Sequence, residues 1–340
     1  MKKLIQIQKK IIPEILEIME RRYLILKQIS LNEPIGRRAL SNKLELSERI
    51  IRSEVEFLKS QDLINVHTSG MSISKSGTYV LDNLKEFIDE MMGISHLEES
   101  LKKKLGIKKV IIVPGNADED DTVRKDIGKA TCKYITKILK NNYIIGVTGG
   151  NTMHEFANCL QGIKKYENIL VVPARGGLGK EVEIQSNNIA AVIGKKLGGN
   201  YKLLHVPDNI TKETLESLIL EPEINKTLEY IQNVDVLIFG IGRADDMARR
   251  RKMPKSEFDY IMSKGAVGEA FGYYFNRNGE IVHETITIGI KLENFKSIKN
   301  TIGIVGGSRK AEAILAISKI KKDLILITDE GAANKIFELI

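Results

Sequence analysis

Long apolar runs are missing from this chain. None of its 340 residues fall in a stretch of 18 or more apolar side chains, which argues against a transmembrane helix. The opening MKKLIQIQKKIIPEILEIMERR breaks its apolar stretch with Gln6, Gln8, Lys9 and Lys10. A signal peptide needs a continuous apolar core, so secretion is not expected. Cysteine is scarce: only Cys132 and Cys159 occur, too few for a disulfide framework or a zinc site. They read as reduced thiols of a cytoplasmic protein. The five histidines, His67, His96, His154, His205 and His283, lack metal-ligand spacing, so no metal is expected. Neither Gly-x-x-x-x-Gly-Lys-Ser/Thr nor Gly-x-Gly-x-x-Gly follows a candidate strand. The chain therefore carries no signature of a nucleotide-hydrolysing loop or a dinucleotide fold.

What is present describes a globular protein of two domains, with 42% hydrophobic and 28% charged residues. Lysine and arginine number 52 against 44 acidic residues, a net charge of +8. Residues 1–80 hold 14 of the former against 9 of the latter, so +5 lies in the first quarter. A basic excess at one end points to a polyanionic partner.

Helical periodicity dominates that end. A first helix is predicted from Ile12 to about Ser30, with Ile15, Ile18, Tyr23, Leu26 and Ile29 on one stripe. Gly36 to Leu44 forms a short second helix, and Glu45–Ser47 a turn in which Ser47 can cap the next helix. That helix, Glu48 to Ser60, buries Ile51, Val55 and Leu58 and exposes Arg49, Arg52, Ser53 and Glu56. Two short strands around Thr68-Ser69-Gly70 then read as a wing, and a helix from Thr78 to about Met92 closes the unit. This is the geometry that lays a recognition helix in the major groove. On it, Arg49, Arg52 and Ser53 are candidate base readers, and Arg37, Arg38 and Lys43 candidate phosphate contacts. A partner of operator double-stranded DNA follows, and with it a homo-oligomer that engages more than one half-site.

Beyond Gly93 apolar runs alternate with helical stretches: Lys109–Val113, Tyr143–Val147, Ile169–Val172, Tyr201–His205, Val234–Phe239, Thr301–Val305 and Leu324–Thr328. Continuous apolar runs are typical of parallel strands buried on both faces, so the fold class is α/β with an open sheet. Ligands of such sheets lie beyond the carboxyl ends of the strands. Four of these ends carry Thr148-Gly149-Gly150-Asn151-Thr152, Arg175-Gly176-Gly177, Gly240-Ile241-Gly242-Arg243 and Gly306-Gly307-Ser308-Arg309-Lys310. Glycines that let amides approach an anion, with arginine and lysine beside them, point to a ligand bearing phosphate groups. Phe87–Leu105, rich in Glu and Lys, is the expected linker between a domain of residues 1–92 and one of residues 93–340.

The ordered segments GVTGGNTM, PARGGLG, GIGRADDM, GAVGEAFGYYFNRNGE, VGGSRKAEAILA and LITDEGAA resemble the sugar-binding domain of SorC-type bacterial transcriptional regulators. With the winged helix-turn-helix, the resemblance covers nearly the whole chain. It implies an effector domain related in fold to sugar-phosphate isomerases and deaminases, without their catalysis. Within that family, PARGGLG and the triple arginine Arg249–Arg251 further imply a repressor of a glycolytic operon, responsive to fructose 1,6-bisphosphate, with a regulator sensing another sugar phosphate as the alternative. Carried over position by position, the effector would meet Gly149, Gly150, Asn151, Thr152, Arg175, Gln185, Arg250, Arg251, Glu269 and Lys310. The competing expectation is a sugar-phosphate isomerase or deaminase with an accessory N-terminal domain. Asp245, Asp246 and Glu269 are its only evident acid–base candidates near the loops.

Overall fold

The computed structural model describes residues 11–91, 93–160, 166–178, 181–208 and 210–340; Gly179 of the PARGGLG segment lies outside them. The chain divides into two compact units, Met1–His96 and Leu97–Ile340, four residues past the boundary expected from the sequence.

In the first unit α1 (Pro13–Asn32), α2 (Arg37–Leu44) and α3 (Glu48–Ser60) precede a hairpin of β1 (Ile64–His67) and β2 (Gly70–Ile73); α4 (Lys75–Met91) follows. Glu45 ends α2 in a left-handed conformation, φ 53°. Ser47 then starts α3, its side chain accepting a hydrogen bond from the Ile50 amide at 3.3 Å. Leu40, Ile51, Val55 and Leu58 close on Ile25, Leu26 and Ile29 to form the core. The α1 stripe differs from its prediction at one end. Ile15 is 51% exposed, whereas Leu16 is buried and packs with Tyr23 and Ile88 against α4. The hairpin pairs Ile64 with Ile73 and His67 with Gly70. Ile35 adds a third rung, exchanging backbone hydrogen bonds of 3.1 and 2.8 Å with Met71.

The helix Ile94–Leu105 was expected to be linker. From Leu97 on it belongs to the second unit, where Leu101 and Leu105 are buried and the Glu98 carboxylate accepts the Ile112 amide at 2.8 Å. A seven-stranded parallel sheet follows, made of β3 (Lys109–Val113), β4 (Ile144–Val147), β5 (Leu170–Pro173), β6 (Asn200–Tyr201), β7 (Val236–Gly240), β12 (Asn300–Ile304) and β13 (Ile325–Asp329). Its order is β3-β13-β12-β7-β4-β5-β6. The chain builds outward from β4 through β5 to β6, then returns to place β7 on the other side of β4. That reversal creates a switch point, and its crevice opens at the strand carboxyl ends. The helices Thr122–Ile135, Asn151–Cys159 and Ser186–Leu197 pack on the sheet through a core that includes Ile127, Phe156, Ile193, Val147, Val236 and Ile302, all 0% exposed.

Two features depart from the expectation of one open sheet. Tyr201–His205 keeps strand geometry only at its start, because β6 is an edge strand paired on one side through Asn200 and Tyr201. A second, antiparallel sheet is also present, formed by β8 (Gly242–Arg243), β9 (Ala266–Ala270), β10 (Tyr273–Asn276) and β11 (Ile281–Glu284) in the order β11-β10-β9-β8. Its strands interrupt their apolar residues with Gly268, Glu269 and His283, so no continuous run announces them. This sheet carries Glu269 to the crevice. Among the described residues no helix is long and apolar enough to cross a membrane.

Candidate functional site

In the first unit, α3 buries one face and presents the other. Arg49, Arg52 and Ser53 are exposed, as are Arg37, Arg38 and Lys43 of α2. Arg52 is tied to Glu56 at 3.2 Å, one turn along, and Arg38 stands 4.0 Å from Glu48. Both contacts are solvated and weak enough for a phosphate or a base edge to displace. The side chain of Glu54, unmarked by the sequence pattern, is 9% exposed on the buried side of α3. Its carboxylate accepts from Arg21 at 2.9 Å and Arg22 at 2.8 Å, and the Arg22 guanidinium lies 3.5 Å from the centroid of the Phe57 ring. These contacts clamp α3 to α1.

The second unit holds a cavity of about 320 Å³ at the sheet switch point, a size suited to a small metabolite. Gly149, Gly150, Asn151 and Thr152 line it, and so do Arg175, Gln185, Arg250, Glu269 and Lys310. The structure thus gathers nine of the ten expected effector residues. Arg251 is the exception. It is not among the lining residues, and its side chain is 2% exposed. Arg251 donates to Asp208 at 3.2 Å, to Glu269 at 2.7 Å and to the Tyr274 hydroxyl at 2.9 Å. Its neighbour Arg250 faces the cavity and has no ion-pair partner among the described residues.

The four glycine-bearing strand ends are not equivalent. After β5, the amides of Gly176, Gly177 and Leu178 donate to Ile288, Val206 and the Gln185 side chain. After β7, the Gly240 amide donates to Thr148. After β12, Gly307, Ser308 and Arg309 donate to Asp329, Asn116 and Asp118. After β4 three successive amides stay open. Those of Asn151, Thr152 and Met153, the first turn of Asn151–Cys159, have no acceptor among the described residues. Backbone amides and the helix dipole together favour an anion there. Glycine is required at both positions before the helix: Gly150 has φ 121°, and a Cβ on Gly149 would stand 2.5 Å from the Ile184 carbonyl oxygen.

Beneath the cavity lies a charge cluster that the sequence did not mark as such. Arg175 grips Asp208 through two guanidinium nitrogens and reaches Glu269 at 3.4 Å. Glu269 also accepts from the Gly272 amide at 2.7 Å. Burial works against the Glu269 carboxylate, but Arg251 and Arg175 outweigh it and hold its pKa below the ordinary value. Burial likewise opposes the Arg251 charge, which Glu269 and Asp208 restore and reinforce. Across the cavity, burial pushes the Lys310 ammonium below the usual lysine range, although Asp246 and Asp118 oppose the shift. An incoming phosphate would relieve that cost. Arg124, Arg309 and Asp118 also line the cavity; of these, the sequence marked Arg309 alone, within the glycine-bearing segment after β12.

A winged helix in one unit and a cationic crevice at a sheet switch point in the other define a DNA-binding regulator with a small-molecule sensor. Two family models match: the sugar-binding domain over residues 89–338 and the CggR N-terminal DNA binding domain over residues 18–88. The chain is 43% identical over 337 residues to the central glycolytic genes regulator of Priestia megaterium, covering 99% of this chain and 98% of that one. It is 42% identical over 336 residues to the protein of that name in Bacillus subtilis, covering 99% of each. Among solved structures, a SorC family transcriptional regulator from Enterococcus faecalis superposes with a TM-score of 0.67 at 39% identity, over 71% of this chain and 99% of that one. The full-length sorbitol operon regulator SorC of Klebsiella pneumoniae shares the fold, with a TM-score of 0.67 at 17% identity over 92% of this chain and 97% of that one. The chain belongs to the SorC family of bacterial transcriptional regulators.

Proposed function

We propose that this protein is a cytoplasmic repressor of a glycolytic operon whose hold on DNA is set by fructose 1,6-bisphosphate in the second unit. The carrying observation is the meeting, in one cavity, of an open amide turn at Asn151–Met153, an Arg250 without an ion-pair partner among the described residues and the desolvated Lys310. The amides and Lys310 suit one phosphate, and Arg250 with the outer edge of Arg175 suits a second. The relatives called central glycolytic genes regulator supply the glycolytic context. In the first unit, Arg49, Arg52 and Ser53 read bases, while Arg37, Arg38 and Lys43 hold phosphates. A homo-oligomer brings several winged helices to one operator.

Binding rather than turnover suits the acidic residues present. Oε1 of Glu269 already accepts three N–H groups, and Asp245 is paired with Arg243 and Arg249. Neither is placed as a free base. Isothermal titration of wild type and Lys310→Ala with fructose 1,6-bisphosphate and fructose 6-phosphate tests the reading. Bisphosphate binding that is strong in wild type and lost in the variant is the expected result. Preference for the monophosphate would assign the cavity to a different sugar phosphate.

A further inference from the structure

The loop after β12 has the composition of a phosphate cradle, Gly-Gly-Ser-Arg-Lys, yet the chain's own side chains fill it. The Gly307 amide donates to Asp329 at 2.7 Å, Ser308 to Asn116 at 3.2 Å and Arg309 to Asp118 at 2.8 Å. The Lys310 amide closes back on the Gly307 carbonyl at 3.0 Å. The Ser308 hydroxyl also donates to Asp118, at 3.2 Å. Contact with the carboxylate is close enough that a Cβ on Gly307 would stand 2.5 Å from Asp118 Oδ1. Asp118 comes from the segment after β3, which Asp329 anchors through the Ala117 amide at 2.7 Å. Its carboxylate lines the same cavity as Lys310, Arg250 and the open amides of Asn151–Met153. A negative charge on the wall of an anion site opposes every anionic ligand that enters.

We infer that Asp118 is a built-in anion that occupies the loop after β12 and sets the sensor's affinity. It holds the loop in one shape before any ligand arrives, so that Lys310 is presented while the loop amides are withdrawn. Through its charge it keeps binding weaker than the cationic wall alone would make it. A metabolite sensor needs such a brake, because a site saturated at every ligand concentration reports nothing. The inference rests on the phosphorylated effector proposed above and names the residue that tunes its threshold.

Asp118→Asn keeps an acceptor for the Arg309 amide and removes the charge. Asp118→Ala removes both. Titration of the full chain with fructose 1,6-bisphosphate and with fructose 6-phosphate, at low and at high salt, separates the two roles of the carboxylate. Asp118 is solvent-exposed, so the expected gain for Asp118→Asn with the bisphosphate is about three- to tenfold, shrinking as salt screens the charge. The gain should be smaller with the monophosphate, which carries less charge. In Asp118→Ala the freed Arg309 amide and Ser308 hydroxyl should also let inorganic phosphate compete more strongly than it does in wild type. Unchanged or weaker bisphosphate binding by Asp118→Asn would overturn the inference and leave Asp118 as scaffold. Wild type that binds neither sugar phosphate would overturn the effector assignment itself, which tells the two failures apart.

Discussion

Glu269→Gln removes the charge at the centre of the buried cluster while conserving its shape. The wild-type carboxylate accepts Arg251 at 2.7 Å, the Gly272 amide at 2.7 Å and Arg175 at 3.4 Å, with both the Glu269 and Arg251 side chains 2% exposed. In the variant, Asp208 is left as the carboxylate shared by the two arginines, and the glutamine Oε1 meets the same three N–H groups without a charge. Breaking a buried ion pair by removing one partner costs about 3–5 kcal/mol. A unit of this size loses about 2–4 °C in melting temperature per kcal/mol, so the transition should fall by about 6–20 °C. Differential scanning calorimetry of the full chain reads it directly. The pH dependence supplies a second mark. The folded-state pKa of Glu269 is depressed, so its stabilisation is complete above the unfolded carboxylate value of about 4.3 and is lost as pH falls further, through the folded value. Wild type should therefore approach Glu269→Gln in stability as the solution is acidified below pH ~4. A fall of less than about 3 °C at neutral pH would refute the view that this carboxylate compensates the buried arginines.

Three further outcomes follow from the geometry. Glu54→Gln should loosen α3 from α1, costing about 1–3 kcal/mol because Arg21 and Arg22 are each 33% exposed. It should reduce specific operator binding more than non-specific binding in fluorescence anisotropy. Gly149→Ala pushes its Cβ toward the Ile184 carbonyl and should weaken effector binding about tenfold or more, equivalent to about 1.4 kcal/mol or above, by titration calorimetry. Effector affinity should decline on the alkaline side as Lys310 loses its proton. Its lowered pKa places that decline below the usual lysine value of about 10.4, and Lys310→Arg should abolish it within the range where the protein stays folded.

Much of this architecture was legible because apolar pattern and turn chemistry agreed. Ser47 and the spacing of Ile51, Val55 and Leu58 placed α3 at Glu48–Ser60, where it is found. The apolar run Lys109–Val113 is β3 to the residue. Patterning could not reveal the antiparallel sheet, whose β9 carries Gly268 and Glu269 among its apolar residues. Nor could it separate Arg250 from Arg251. The two are adjacent on the sequence, yet one faces the cavity and the other is enclosed by Asp208, Glu269 and Tyr274. Asp208 lies far from both arginines along the chain, so only the fold brings it beneath Arg175. The glycine-rich loops mislead for the same reason. Composition shows that a backbone can cradle an anion, whereas long-range partners such as Asp329 and Asp118 decide whether its amides remain free.

Coupling between the units is the central claim, and one titration tests it most directly. The affinity of the full chain for an operator fragment isolated by in vitro selection would be followed by fluorescence anisotropy, with increasing fructose 1,6-bisphosphate. The account predicts that operator affinity falls about 5- to 150-fold as the cavity fills, the range of typical allosteric coupling, and that Lys310→Ala removes the response while keeping ligand-free operator binding. Saturation of the cavity by the bisphosphate, shown by calorimetry, with an unchanged operator isotherm would contradict it.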